Sequence, residues 1–366
     1  LLLITFMQLF CQNNDILLWY KMFKSILFFF LFFLYTTSSF AECAKPEMPS
    51  NKEWNDWLIK TSKEAIEHGI NKDILDKEFL IQKPLQKIIM RDRCQPESTI
   101  TFKEYIYYRL GKTRIYKGKK NKDKYEEELK EISLIYNIKP EIILSIWGLE
   151  SFYGNNQGES KVISVLTTLT FDKRRSDFYK KQLFAALKML QNNFIDSDKL
   201  VGSWAGAMGQ VQFLPTTYLD SAVDFDKDGK KDIWNNEMDI FASIANYLTS
   251  LEKAPWDNNY SWGFEVNPPI NIDSFYDTLK QENPKGCYAV RTMSKEKNLS
   301  EWSNLGFKIK NEFAIDDSNP MMKLVAPDGI DGRMFLVYRN YKSILYYNCS
   351  HYYALSVGLL SDKIME

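Results

Sequence analysis

Apolar residues recur at helical spacing along most of the chain. In residues 51–69, Trp54, Trp57, Leu58, Ala65 and Ile66 follow a helical repeat, and Gly69 stands where a helix C-terminus is capped. A second short helix is expected from Asn71, and residues 95–99 read as a loop. Thr101 and Glu104 have capping-box spacing and open a helix that carries Tyr105. Tyr125, Leu129, Ile132 and Tyr136 mark an amphipathic helix. Pro140 then sits in the first turn of the next helix, where proline is tolerated, and that helix delivers the run IILSIWGLESFYG at 142–154 with one carboxylate, Glu150. Val162–Phe171 leads to Asp172-Lys173-Arg174-Arg175, and further helices are predicted over 178–191, 239–251 and 352–364. Two stretches break the pattern. Residues 202–212 hold Gly202, Gly206 and Gly209, which let backbone approach a ligand closely. From 262 to 337 the composition shifts to Pro, Asn, Asp and short apolar runs such as 307–309 and Met334–Val337, which predicts a small β-rich insertion.

Composition narrows the class. The 366 residues are 45% hydrophobic and 15% aromatic, enough to bury a large core or two subdomains. Lys+Arg and Asp+Glu both number 47, so nothing in the charge balance favours nucleic acid or an anionic membrane surface as the main partner. A neutral or mixed substrate fits better. The basic stretch Lys112–Lys124 reads as a solvated face. Met22 reads as the start, with residues 1–21 as upstream translation. Lys24, the apolar run 26–35 and small residues at Ser39 and Ala41 then make 22–41 a cleaved signal peptide, because the run is far short of the roughly 20 residues of a membrane span. A periplasmic protein is expected, and Phe40-Ala41-Glu42-Cys43 argues against a lipid anchor at Cys43. Cys43, Cys94, Cys287 and Cys349 remain after cleavage and suit disulfides; of three pairings, Cys43–Cys94 with Cys287–Cys349 keeps each bridge local. No CxxC spacing points to zinc. With His68 and His351 the only histidines, neither a Ser/His/Asp triad nor HExxH is present.

The chemistry centres on Glu150. A carboxyl among apolar residues has its charged form disfavoured, and the negative end of the helix macrodipole is expected to push its pKa further up. The bland alternative is a buried ion pair with Arg174 or Arg175. Ser151-Phe152-Tyr153-Gly154 and the 202–212 loop, with Ser203, Gln210 and Gln212, could line a cleft beside it. Tyr105, Tyr218, Tyr247, Tyr347 and Tyr353 offer flat faces and hydroxyls for sugars, and Arg174-Arg175 could grip a carboxylate or simply end a helix in solvent. Asp224-Phe225-Asp226-Lys227-Asp228-Gly229 reproduces the opening of an EF-hand loop, with the Lys230 carbonyl at position seven. The twelfth position is Asn235 rather than Glu. Asp239 is placed to close a longer loop, with Glu237 as second candidate. Calcium is the cofactor expected, and no organic cofactor is.

Together these segments resemble the lytic murein transglycosylase B family. The matching pieces are IWGLESFYG around Glu150, TLTFDKRR at 168–175, GSWAGAMGQVQFLPTTY at 202–218, AVDFDKDG at 222–229, SIANYL at 243–248 and ILYYNCSHYYALSVGLLSDKI at 344–364. Ser151 stands where that family usually has Thr and keeps the hydroxyl. The resemblance implies a mainly α, lysozyme-like core at 137–261, an N-terminal helical domain at 43–136, the β-rich insertion at 262–337, and a helical return at 338–366 that completes the cleft. It implies Glu150 as catalytic acid/base. Tyr105, Arg174, Arg175, Ser203, Gln212, Tyr247, Tyr347, Asn348 and Tyr353 would line the saccharide cleft, and Asp224, Asp226, Asp228, the Lys230 carbonyl and Asp239 would hold calcium. The implied partner is the glycan strand of peptidoglycan, met by a monomer that has no nucleic-acid role, with cell-wall enzyme complexes as further candidates. An ordinary glycosidase needs two carboxylates and the motifs supply one, which favours closure of a 1,6-anhydro ring on MurNAc over hydrolysis. A hydrolytic muramidase and a non-catalytic, calcium-bound wall-binding protein are the rival readings.

Overall fold

In the computed structural model, residues 45–94, 100–310 and 319–366 are described. The expected upstream stretch, the signal peptide, Cys43 and the 95–99 loop lie outside them. α1 (Asn51–Glu67) starts at Ser50 in a capping box: Glu53 N donates to Ser50 Oγ (3.2 Å) and Ser50 N to Glu53 Oε2 (2.8 Å). The helix buries Trp54, Leu58, Thr61 and Ala65 along one stripe and gives way to Gly69 at φ 82°. α2 (Lys72–Ile74) runs into a single π-helical turn, Leu75–Phe79, and α3 (Gln86–Arg93) follows. α4 (Phe102–Arg109) carries the predicted Thr101/Glu104 capping box, and Asp328 adds a second cap, its carboxylate oxygens each 2.9 Å from Phe102 N.

The basic stretch folds as α5 (Lys112–Lys124), and one side of it is core rather than solvated. Gly118 is buried there against Tyr153 and Ile364. α6 (Glu126–Tyr136) leads to α7 (Pro140–Ser151), which has Pro140 in its first turn and every residue from 141 to 149 buried. A helix buried on all sides must be central, and α7 lies among α5, α11 (Glu237–Thr249) and α15 (His351–Met365). α8 (Val162–Phe171) packs on α9 (Ser176–Gln191). β1 (Ser160–Lys161) and β2 (Val201–Gly202) pair antiparallel, and α10 (Pro215–Ser221) precedes the acidic loop.

The 262–337 segment contains β3 (Gly263–Asn267), β4 (Glu296–Asn298), β5 (Lys308–Ile309), β6 (Met321–Val325) and β7 (Met334–Val337), with short helices α12 (Tyr288–Thr292) and α13 (Leu299–Asn304) between them. The strands form an antiparallel sheet in the order β4-β6-β7-β3-β5. Strand alternation divides β7 between two cores. Met334 and Leu336 join Phe264, Val266 and Trp302 in a core local to the sheet, whereas Phe335 and Val337 face the main helical core. α14 (Arg339–Tyr347) and α15 return to the helical body, and the Cys287–Cys349 disulfide ties the segment to the turn between them, with Cα atoms 6.3 Å apart. Among the described residues, no single helix is long and apolar enough to cross a membrane.

Candidate active site

Glu150 sits in the last turn of α7, where the chain leaves through three left-handed residues, Phe152 (φ 54°), Tyr153 (φ 59°) and Gly154 (φ 80°). For the two non-glycine residues this geometry costs on the order of 1 kcal/mol each and persists only where surroundings impose it. Tyr153 supplies much of that constraint. Its hydroxyl donates to Arg114 O (2.9 Å), and its ring lies so close to Gly148 that a Cβ there would sit 2.6 Å from Cζ. Ser151 Oγ donates to Trp147 O (3.2 Å) and accepts from Gly154 N (3.0 Å), which is the work of the hydroxyl at that position.

The glycine-rich stretch is held against this turn by a residue whose role sequence reasoning missed. Gln210 accepts from Trp147 Nε1 (2.7 Å) and donates to Trp234 O (2.8 Å), joining α7, the 202–212 segment and the end of the acidic loop. Within the stretch, Met208 bridges to both Gly202 and Phe213, and a Cβ on Gly202 would collide with Ala207 O. Ser203 Oγ accepts from Ala207 N (3.1 Å), and Gln212 Nε2 donates to Gln157 O (3.1 Å).

A cavity of about 1220 Å³ opens over these elements, lined by Glu150, Gln157, Ser203, Trp204 and Gln212 and reaching Lys230 and Asp232. Tyr347 and Tyr353, whose rings stack 6.4 Å apart, lie near enough to feel the Glu150 carboxyl. Tyr353 Oη faces the Glu150 carboxyl and has no other hydrogen-bond partner among the described residues. Tyr347 Oη donates to Val211 O (2.6 Å) and Tyr247 Oη to Tyr346 O (2.7 Å), with their rings 4.9 Å apart. Tyr105 lies beneath the Arg109 guanidinium, 5.8 Å from it, and Asn348 is exposed. Tyr218 is buried and donates to Lys231 O (3.1 Å), so it braces the acidic loop. Arg174 and Arg175 do not pair with Glu150. Both bind buried Asp92 of α3, a carboxylate more than eighty residues earlier.

Burial pushes the Glu150 pKa up to about 7, opposed by the Tyr353 hydroxyl and then the Arg109 charge. The expected second push from the helix dipole is offset. Arg109 Nη2 donates to Leu149 O (2.9 Å) and Arg114 Nε to Gly148 O (3.0 Å), so two guanidiniums cap the negative end of α7. Neither arginine has a helical or motif signature, and the contact spans 34 to 40 residues of sequence.

The acidic loop gathers Asp224, Asp226 and buried Asp239, with one oxygen of each lying within 4.8 Å of the others. Asp239 accepts from Phe225 N and Asp232 N (both 2.7 Å), and Asn236 Nδ2 donates to Asp226 (2.7 Å). Asp228 stands outside this cluster and accepts from Lys230 N (2.8 Å). Three converging carboxylates, one of them buried, form an oxygen donor set suited to a hard cation.

A helical scaffold that presents a half-buried carboxyl of raised pKa to a polar-lined cavity is of the lysozyme-like class. The chain belongs to the transglycosylase SLT domain family, whose profile matches residues 53–362. It is similar to SltB3 of Pseudomonas aeruginosa in two solved complexes. With NAG-NAM-pentapeptide bound, identity is 36% and TM-score 0.76; with NAG-anhNAM-pentapeptide they are 35% and 0.75, each covering 85% of this chain and 79% of that one. It is also 37% identical over 127 residues to the membrane-bound lytic murein transglycosylase B of Escherichia coli K12, a match that covers 34% of this chain and 35% of that protein. The matched stretch thus spans about a third of the curated relative.

Proposed function

We propose that the chain is a peptidoglycan lytic transglycosylase that cuts the β-1,4 bond between MurNAc and GlcNAc. The observation that carries this reading is Glu150, a half-buried carboxyl in the last turn of α7 that opens on the cavity and is poised near neutrality by burial, Tyr353 and Arg109. Protonated Glu150 donates to the glycosidic oxygen as the bond to the MurNAc anomeric carbon breaks, and the MurNAc N-acetyl group stabilises the developing cation. The resulting carboxylate then takes the proton of the C6 hydroxyl while that oxygen bonds to the anomeric carbon, so one residue is acid and then base and no water is consumed. The SltB3 complexes with paired intact and anhydro muropeptides support the same substrate class here. Ser203, Gln212, Tyr105, Tyr247, Tyr347, Asn348 and Tyr353 are the proposed saccharide contacts; Arg174 and Arg175, held by Asp92, would act at its margin. Mass analysis of muropeptides released from purified sacculi tests the reading: anhydro ends, lighter by one water than hydrolytic ends, are expected, and reducing ends would refute it.

The acidic loop is proposed to hold calcium through Asp224, Asp226 and Asp239, with Asp228 and the Lys230 carbonyl completing the shell in a structural role. The substrate places the working enzyme in the cell envelope, on the periplasmic side of the membrane.

A further inference from the structure

Two arginines meet the end of α7, but they meet it differently. Arg114 binds Gly148 O, folds back onto Arg109 O and accepts Tyr153 at its own carbonyl, so its contacts are with backbone and the turn after Glu150. Arg109 binds Leu149 O, the carbonyl directly before Glu150, covers the Tyr105 ring and influences both Glu150 and Tyr353. Its Nε is buried without a hydrogen-bond partner among the described residues, so the guanidinium is anchored at one edge only. We infer that Arg109 is a positioning residue for the reaction: it fixes the last turn of α7 and turns its positive charge on the Glu150 carboxylate, setting the balance between the acid and base forms.

The physical need follows from a single carboxyl that must serve twice, and so the inference rests on the acid-then-base reading above. Burial by itself favours the neutral acid and would leave the carboxylate reluctant to form after proton donation. The groups that act on Glu150 are the Tyr353 hydroxyl from α15 and Arg109 from α4, with the Tyr347 hydroxyl of α14 beside them; the shared cavity adds neutral Ser203 and Gln212 and, along its walls, the charged Arg91, Glu159, Asp196, Lys199, Lys230, Lys231 and Asp232. Of the charged groups, Arg109 is the one whose charge lowers the Glu150 pKa. Its position on α4, outside the helix it serves, lets the N-terminal helices tune the catalytic carboxyl.

The test compares Arg109→Met, Arg109→Lys and Arg114→Met. For each, the pH profile of turnover on sacculi is recorded beside an isotope-edited NMR titration of the Glu150 carboxyl, assigned against Glu150→Gln. Arg109→Met is expected to move the falling, high-pH limb and the titration midpoint upward by about 1 pH unit. Arg109→Lys should restore most of that shift, whereas Arg114→Met, which removes a backbone cap but keeps the Arg109 charge, should lower the melting temperature and move the limb far less than Arg109→Met. A folded Arg109→Met protein with wild-type midpoint overturns the inference. Should that variant not fold, an unshifted midpoint in folded Arg109→Gln overturns it equally. The titration does not depend on the product, so a shift accompanied by hydrolytic products retains Arg109 and refutes ring closure, and anhydro products without a shift do the reverse.

Discussion

With a pKa of about 7, Glu150 is divided between acid and carboxylate near neutral pH, as the proposed giving and then taking of a proton requires. The same poise carries a stability cost. The folded value lies above the ordinary 4.5, so between the two the native state binds the proton that the unfolded chain releases. The contribution is therefore full at low pH and is lost as pH rises through about 7. Replacing Glu150 by Gln should abolish lysis, by about 100-fold or more, because proton transfer by a positioned side chain contributes at least that much. The variant should also melt higher than wild type at pH 8, with the gap closing toward pH 5. Calorimetry across that range checks the sign, and a variant that melts lower at pH 8 would contradict the burial account.

At the scale of elements, the exit from α7 depends on Tyr153 seated against Gly148 and Gly118. Gly148→Ala should force the Tyr153 ring away, cost about 1–3 kcal/mol and reduce turnover, with both effects visible by melting and sacculus assay; wild-type behaviour in both would show that the seat is not needed. Much at this scale was legible locally. The Ser50/Glu53 box lies next to the tryptophan pattern that predicted α1, while Thr101/Glu104 and Pro140 announced α4 and α7 from adjacent residues alone. What stayed hidden was non-local. A run of lysines conceals that Gly118 gives α5 a buried side. Nothing near Arg174-Arg175 betrays Asp92, and nothing near Glu150 betrays Arg109 or Arg114, because those partners are set by helix packing rather than by spacing. Gln210 was visible as a polar residue among glycines, but its position as a strut to Trp147 required the fold.

Over the whole molecule, distant segments converge on Glu150: α7 carries it, the glycine-rich stretch forms one wall of the cavity it opens on, α14 and α15 bring Tyr347 and Tyr353, and α4 brings Arg109. The β-rich segment contributes by fastening, through Asp328 on the start of α4 and Cys287 on the turn that precedes α15. The acidic loop borders the same cavity at Lys230 and Asp232, so a cation there should stiffen it. Chelation is expected to lower the melting temperature and added calcium to restore it, with Asp239→Asn insensitive to both; equal melting with and without chelator would remove calcium from the account. The central claim remains that one carboxyl closes a ring instead of activating water. Digesting purified sacculi in heavy-oxygen water and weighing the released muropeptides addresses it directly. The account predicts anhydro ends that carry no label, whereas one labelled oxygen at each new MurNAc end would contradict it.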